Sequence, residues 1–497
     1  MRAQRQALLL SFCSGLAVMT AELSASRLVA PYFGTSTPVW AILIGVLLAA
    51  LAVGAELGGR AADAWLTARP LRRWLCASAA WLAALPFVGR ALLPAASGSA
   101  LSGGAPGLAG LVAFAALLAP PAAVLGAVGP VLARTELASV ANAGAWVGRL
   151  SAASTAGSLV GTFGTAFVLL PALGTARSLA LGALCLGAVA ASSWPERLAA
   201  ALLPALAFAF APSALPRRAG ATRVVESEYA LLQVIGRPDG SRALVFDEGF
   251  ATQSVYRPPG PPVVDEVFSH YLLAPAMRAG GAAGRPPSVL LLGLGAGTAA
   301  RGLLEGFPGA RVVGVELDPA VLAIARLDFG LPPEVEAHVG DARAFLRGSR
   351  ESFDVIISDV FRFPYVPFHL ATEEFFAELK GHLVPGGVAC VNVGRWGDDR
   401  AVVGAVGGTL AGVFEEVAAA DAHNRSNTLF YAGPRGLAER LDRASGGLAP
   451  HLAPFAARVA GELRPTPPGP PLRDDRAPVE SMTDAVVARS FARGALR

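Results

Sequence analysis

Lysine is all but missing from the 497 residues: Lys380 is the only one, and the other basic side chains are arginines, scattered or at the ends of apolar runs. There is no basic stripe with interleaved aromatics, so the net charge of +4 does not mark a nucleic-acid partner. Cysteine is scarce too. Cys13, Cys76, Cys185 and Cys390 form no Cys-x-x-Cys pair and three lie inside apolar runs, which excludes a disulfide framework and a zinc site; no metal is expected. Charge of either sign is thin, 16% of residues against 53% hydrophobic, with mean hydropathy +0.50. Such a chain is too apolar for one water-soluble domain and too long for one ordinary core.

The scarcity is uneven. The apolar excess precedes Pro212, while nearly all acidic residues follow Val225. Residues 1–212 therefore read as a multi-pass α-helical transmembrane bundle and 222–490 as a water-soluble domain. Apolar runs occur near Leu8–Ala30, Val39–Leu57, Leu75–Leu93, Leu108–Leu132, Ala145–Leu170, Ala176–Ala191 and Leu198–Ala211. A crossing needs about 20 residues, which the first five supply and the last two do not. The first run has the basic start of a signal peptide, but further runs follow at once, so it reads as a retained span.

Arg2, Arg5, Arg60, Arg69, Arg72, Arg73 and Arg134 mark cytoplasmic segments, and Arg217, Arg218 and Arg223 ask the same of the second half. An even number of crossings follows, most simply six, with one short run at the interface and the soluble domain in the cytoplasm. Arg27, Glu56 and Arg149 lie near span ends, where they can snorkel, whereas Glu22 is the charged group expected inside the bundle. Gly157–Gly164, "GSLVGTFG", carries a G-x-x-x-G for close helix packing.

From Thr222 the pattern changes. Short β-type runs broken by Pro-Asp-Gly and Asp-Glu-Gly turns give a small β-rich region over 222–262. A helical run, Asp265–Met277, then leads into alternating strands and helices, from "SVLLLGLG" to "GGVACVNV". This is an α/β Rossmann-like core of the S-adenosylmethionine-dependent methyltransferase type over 263–435, with a parallel doubly wound sheet. In such sheets the ligand binds beyond the carboxyl ends of the strands.

Gly293, Gly295 and Gly297 follow the first strand, where absent side chains allow a ligand close to a helix N-terminus. Glu316 ends the second strand about 20 residues on, placed for both hydroxyls of a ribose. Asp341 ends a third strand, placed to accept from an adenine amino group. This order suits an S-adenosyl ligand better than a dinucleotide, because Thr298 and Ala300 break the G-x-G-x-x-G. Asp359 ends the fourth strand, and the proline-rich stretch after it is expected to form a flap.

In family order stand "ESEY", Gln253, "DE" with His270 soon after, "LLLGLGAGT", "VGVELDPAVL", "VGDARAFL", "FDVIISDVF" and "LVPGGVACVNV". Residues 222 to about 400 thus resemble the polyamine synthase (spermidine/spermine synthase) family. "FCSGLAVMTAELSASRLVAPYFG", "GRLSAASTAGSLVGTFGTAFVLLPALGT" and "LRDDRAPVE" resemble its membrane-fused branch. The resemblance implies that Glu316 and Asp341, with Gln253, His270 and Ala342, bind the adenosyl part, and that Asp359 is catalytic. Three positions depart from it: Ala296 replaces an acidic residue of the glycine loop, Arg362 the second aspartate of the flap, and Ser269 the tyrosine before His270.

The expected activity is membrane-bound aminopropyl transfer from decarboxylated S-adenosylmethionine to a small-molecule amine, with no tightly bound cofactor, the bilayer as partner and a homodimer left open. Two alternatives stand beside it. Ala296 and Arg362 suit a methyl or other alkyl transfer from ordinary S-adenosylmethionine to a carboxylate-bearing ligand, and a transporter or sensor would bind the adenosyl ligand without turnover.

Overall fold

A computed structural model describes residues 2–33, 37–101, 106–135, 142–246, 252–257, 267–280, 285–360, 365–395, 398–423 and 426–492. The Asp-Glu-Gly turn at 247–249, Asp265, Glu266 and the flap residues 361–364, Arg362 among them, lie outside the described residues. Two compact units divide the chain, Met1–Arg217 with Glu226–Leu231, and Arg218–Val225 with Leu232–Arg497.

The first unit is helical: α1 (Arg2–Phe33), α2 (Thr37–Ala64), α3 (Ala68–Leu101), α4 (Pro106–Gly126), α5 (Val128–Thr135), α6 (Ala143–Gly164), α7 (Leu170–Leu173), α8 (Thr175–Ala190) and α9 (Trp194–Ala209). A π-helical turn, Thr165–Leu169, joins α6 to α7. Among the described residues, five stretches are long and apolar enough to cross a membrane: Ala3–Phe33, Val39–Ala64, Ala68–Ala96, Val112–Thr135 and Ala143–Leu173. At 16 residues each, α8 and α9 would span only about 24 Å. Most of α8 is nevertheless buried within the bundle, whereas α9 buries only Ala200, Pro204 and Ala207.

Small residues decide the helix contacts. A Cβ at Gly157 would stand 1.9 Å from the carbonyl oxygen of Phe12, and one at Gly161 2.7 Å from that of Leu16, so the G-x-x-x-G lets α6 lie against the main chain of α1. Polar groups in this interface are paired: Thr20 and Thr165 hydroxyls are 3.0 Å apart, and Ser11 donates to the Leu150 carbonyl at 2.9 Å. Of the charged residues, Glu56 pairs with Arg60 at 2.7 Å and Arg27 donates to the Ser227 carbonyl at 2.8 Å. The Glu226 carboxylate accepts from the Thr175 amide at 3.0 and 3.1 Å, capping α8.

The second unit begins with the antiparallel sheet β1 (Ala221–Glu226), β2 (Leu231–Gly236), β3 (Arg242–Phe246) and β4 (Thr252–Tyr256), in that spatial order. Then follow α10 (Val267–Tyr271), α11 (Ala274–Met277), β5 (Ser288–Leu292), α12 (Thr298–Gly306), β6 (Arg311–Glu316), α13 (Pro319–Asp328), β7 (Glu336–Val339), α14 (Ala342–Gly348), β8 (Phe353–Ser358), α15 (Glu373–Gly381), β9 (Leu383–Gly394), α16 (Ala401–Val413), β10 (Glu416–Asp421), β11 (Asn427–Gly433), α17 (Leu437–Ser445), α18 (Ala453–Glu462), β12 (Arg464–Pro465) and α19 (Val479–Ala492).

The large sheet is ordered β12-β10-β11-β9-β8-β5-β6-β7. Strands β9, β8, β5, β6 and β7 are parallel, as the crossover helices require. Beyond the strands read from the sequence, the sheet gains antiparallel pairing at one edge. The link 422–426 is too short for a crossover, so β11 returns antiparallel between β10 and β9. The chain leaves β5 first towards β6 and β7 and later towards β8 and β9, which makes the carboxyl end of β5 the switch point.

Gly157→Val tests the bundle. The added side chain must part α6 from α1 and should cost about 2 kcal/mol or more, seen as earlier thermal unfolding in detergent. Gly148→Val, whose Cβ meets nothing within 4 Å, is the control and should unfold like the parent.

Candidate functional site

Three loops converge at the switch point. Gly293, Gly295 and Gly297 follow β5 with φ of 86°, 55° and 82°, a region that disfavours side chains. The space their missing Cβ atoms leave is filled by the protein itself. A Cβ at Gly293 would lie 2.1 Å from the carbonyl oxygen of Asp359, one at Gly295 2.9 Å from Ser254 Oγ, and one at Gly297 2.4 Å from Leu331 Cδ1. The three glycines therefore serve the packing of the loop. Ala296 is fully buried, and its amide donates to Ser254 Oγ at 2.8 Å. Thr298 Oγ1 accepts from the Val255 amide and donates to the Val255 carbonyl, both at 2.9 Å, so β4 is fastened along the loop. Gln253, half-buried on β4, has its carbonyl oxygen 3.7 Å from the Gly295 Cβ position.

Glu316 ends β6 and is 9% exposed. Its Oε2 accepts from the Gly295 amide at 2.8 Å and Oε1 from the Asp318 amide at 3.1 Å. Burial pushes this carboxyl up from its ordinary range, and the backbone donors only partly offset it.

Asp341 caps α14, its Oδ1 accepting from the Arg343 and Ala344 amides at 3.0 and 2.9 Å. Its Oδ2 lies 3.2 Å from His369 Nε2. Burial works upward on this carboxyl, but the backbone donors and His369 prevail and hold it below the ordinary range. Ala342 is buried at the first turn of α14. Beside these groups stand three exposed apolar side chains: Leu317 just past β6, Val339 at the end of β7, and Phe368 next to His369, at 43%, 58% and 46% exposure. Apolar area left open on the carboxyl edge of a sheet is a surface for a flat ligand.

Asp359 continues β8, its amide donating to the Leu292 carbonyl at 2.8 Å. Burial pushes its carboxyl up; Asn392 Nδ2, donating to Oδ1 at 2.8 Å, and Tyr271 work against the rise. The Tyr271 hydroxyl, fully buried, lies against the same carboxylate without being aligned as a donor. Asn427 Nδ2 in turn donates to Asn392 Oδ1 at 3.0 Å.

His270 lies buried in the short helix α10. It is 2% exposed, its Nδ1 3.2 Å from Tyr431 Oη and its ring edge to face with Phe455, while the Tyr431 hydroxyl donates to its carbonyl at 3.0 Å. These contacts hold α10 and, with it, Tyr271.

Several residues escaped the reading of the sequence. Asn392 and Asn427 leave one visible signal, an isolated amide in an apolar strand. Ser254 leaves none. Arg343, within "GDARAFL", is the hub beside Asp341: all five of its N–H groups are used, on Glu378, Asp474 and the His369 carbonyl, at 2.7 to 3.1 Å. Thr372 Oγ1 adds a bond to Asp474 at 2.7 Å. The closing "LRDDRAPVE" thereby reaches the site through Asp474.

A family model described as a methyltransferase domain matches residues 289–387. A probable polyamine aminopropyl transferase of Bifidobacterium longum is 30% identical over 276 residues, 51% of this chain and 60% of that protein. A polyamine aminopropyltransferase of Mycobacterium tuberculosis is 32% identical over 302 residues, 53% of this chain and 54% of that protein. A solved structure of a probable spermidine synthase from Corynebacterium glutamicum is similar at TM-score 0.38 with 23% identity, covering 49% of this chain and 95% of that one. The chain thus spans little more than half the length of these two curated relatives, and its likeness to the polyamine aminopropyltransferases is about 30% identity over half of its own length.

Arg343→Met removes a guanidinium that is 6% exposed and leaves Glu378 and Asp474 facing each other without it. Both carboxylates are partly solvated, so the expected loss is about 2 kcal/mol, below the range for a fully buried pair. Chemical unfolding checks it, and an unchanged midpoint would show that the hub is dispensable.

Proposed function

We propose that the C-terminal half transfers an aminopropyl group from decarboxylated S-adenosylmethionine to a small-molecule amine, with Asp359 taking the proton. The observation that carries the reading is the half-buried Asp359 carboxylate, its pKa raised by desolvation, beside the glycine loop at the switch point, in a chain similar to proteins named polyamine aminopropyltransferases. Glu316 would accept from both ribose hydroxyls. Asp341 would accept from the adenine amino group, with Leu317, Val339 and Phe368 against the base, and Ala342 and Gln253 would complete the pocket. His270 would act through Tyr271 and Tyr431.

The chemistry then balances. The amine nitrogen bonds to the propyl carbon beside the sulfonium as the carbon–sulfur bond breaks. The electron pair stays on sulfur, and neutral methylthioadenosine leaves. A primary amine with a pKa of about 10 is almost wholly protonated at neutral pH, so a base must take a proton before or as nitrogen attacks. A carboxylate raised by burial is a better base than one at the surface, which suits Asp359 to the task.

Asp359→Asn keeps size and most hydrogen bonding but removes the base, so kcat should fall about a hundredfold or more with nucleoside affinity little changed. The sign of the pH effect follows from the raised pKa. Working carboxylate is lost as pH falls through a value above the ordinary range, so the acid limb of kcat/KM should lie above that range and vanish in the variant. Mass spectrometry of the nucleoside product decides between readings. Methylthioadenosine is expected; S-adenosylhomocysteine from ordinary S-adenosylmethionine would replace aminopropyl by methyl transfer. Binding without turnover would favour a sensor.

For the first half the proposed arrangement is a multi-pass cell-membrane domain of six crossings, the five long apolar stretches and the embedded α8, with α9 along the interface. The arginine-bearing segments then face the cytoplasm together with the second half. Reporters fused after Arg223 should be active only on the inner side; activity on the outer side would require a seventh crossing.

A further inference from the structure

Beyond the candidate base, the carboxyl edge of the large sheet holds a knot of arginines that the proposed chemistry leaves unused. Strand β10 is antiparallel to β11 and β11 to β9, so β10 ends on the same edge as β8 and β9. Asp421 is its last residue, and Arg395 directly follows β9. Arg395 is tied to the candidate base through the main chain. Its amide donates to the Ser426 carbonyl at 2.7 Å, next to Asn427, whose side chain reaches Asn392 and so Asp359.

The Asp421 carboxylate is engaged without Arg395. Its Oδ1 accepts from Thr428 Oγ1 at 2.7 Å and Arg400 Nη1 at 3.2 Å, and its Oδ2 from Arg400 Nη2 at 2.6 Å and Arg464 Nη2 at 2.7 Å. Arg395 is left over. Its side chain is 6% exposed, its Nη1 stands 3.6 Å from Asp421 Oδ2, beyond hydrogen-bond length, and its Nε is buried with no partner among the described residues. Burial disfavours its charged form, and Asp421 offsets only part of this. With Asp398, which acts on Arg395 and Arg400 from nearby, three guanidinium groups face two carboxylates, while Asp399 is spent on Arg489 and the Ala401 amide. One positive charge is in excess, and the least paired group carries it. A guanidinium with idle donors is a seat for a carboxylate. Arg400 and Arg464, 45% and 54% exposed, leave the cluster open to water.

We propose that Arg395 seats an anionic group of the acceptor: with the amine at Asp359 and a carboxylate at Arg395, the molecule that receives the aminopropyl group is an extended amino acid rather than a polyamine. Strands lie about 4.8 Å apart, so from Asp359 on β8 to the cluster at the ends of β9, β11 and β10 such a molecule spans about 10 to 14 Å. A polyamine of that length would set its far ammonium against the excess positive charge, a like-charge contact that disfavours it. The inference rests on the aminopropyl reading proposed above and adds to it the class of the acceptor.

The test uses the full chain in nanodiscs, with and without bound 5′-methylthioadenosine. Calorimetry compares 8-aminooctanoate with 1,8-diaminooctane, chains of similar length that differ at one end. The parent should bind the amino acid more tightly. Arg395→Gln should cut that preference about tenfold or more, the worth of a hydrogen bond to a charged group, by weakening the amino acid. Arg395→Lys keeps the charge without the fork and should retain part of the preference. A parent without the preference, or an Arg395→Gln variant that weakens both ligands equally, overturns the assignment of Arg395. Turnover is read separately, by release of methylthioadenosine from decarboxylated S-adenosylmethionine in the presence of aminooctanoate. An amino acid that binds through Arg395 without that release would overturn the aminopropyl reading and leave the carboxylate seat standing.

Discussion

The close approach of Gly293 to the main chain of Asp359 is the contact on which the rest of the candidate site depends. Neighbouring parallel strands β5 and β8 bring their carboxyl ends side by side, and the absent Cβ at 293 lets the glycine loop lie against the Asp359 carbonyl. From there the loop turns back through Glu316, whose carboxylate takes the Gly295 amide, and through Ser254, whose hydroxyl takes the Ala296 amide. A candidate base, a candidate ribose acceptor and the strand β4 are thereby held by one stretch of backbone. Each polar partner is a protein group, so the arrangement is formed before any ligand arrives.

Electrostatics divide this edge into two kinds of carboxylate. Glu316 and Asp359 are pushed up by burial and only partly relieved by donors, whereas Asp341 and Asp474 are held down by backbone amides, His369 and Arg343. Groups of the first kind suit proton acceptance or binding of hydroxyls; groups of the second stay ionised and act as fixed acceptors. The division follows position. The first two lie at the ends of central strands flanked by β5, and the others lie towards the sheet margin, where water and arginine reach them.

In the half built of long apolar helices the same economy of side chains appears. Gly157 and Gly161 bring α6 onto the main chain of α1, and threonine and serine hydroxyls pair within the contact. Close backbone approach and paired hydroxyls hold these apolar helices together.

The sequence by itself determined the two-part organisation, the run of long apolar helices and the α/β core, because these rest on composition and on periods of 3.6 and 2 that neighbours in sequence impose. It also determined Glu316, Asp341 and Asp359 as strand-end acids, since strand, turn and helix signals place such residues locally. Tertiary structure alone decided what surrounds them. The antiparallel return of β11 brings Asn427 to Asn392 and so to Asp359, across 35 residues of chain. Arg343 meets Asp474 from 131 residues away, and the turn at 368–370 sets His369 against Asp341. His270, carried by resemblance towards a ligand, lies buried against Tyr431 and Phe455. Such contacts depend on which strands and turns become neighbours in space, and no local period in the chain records that.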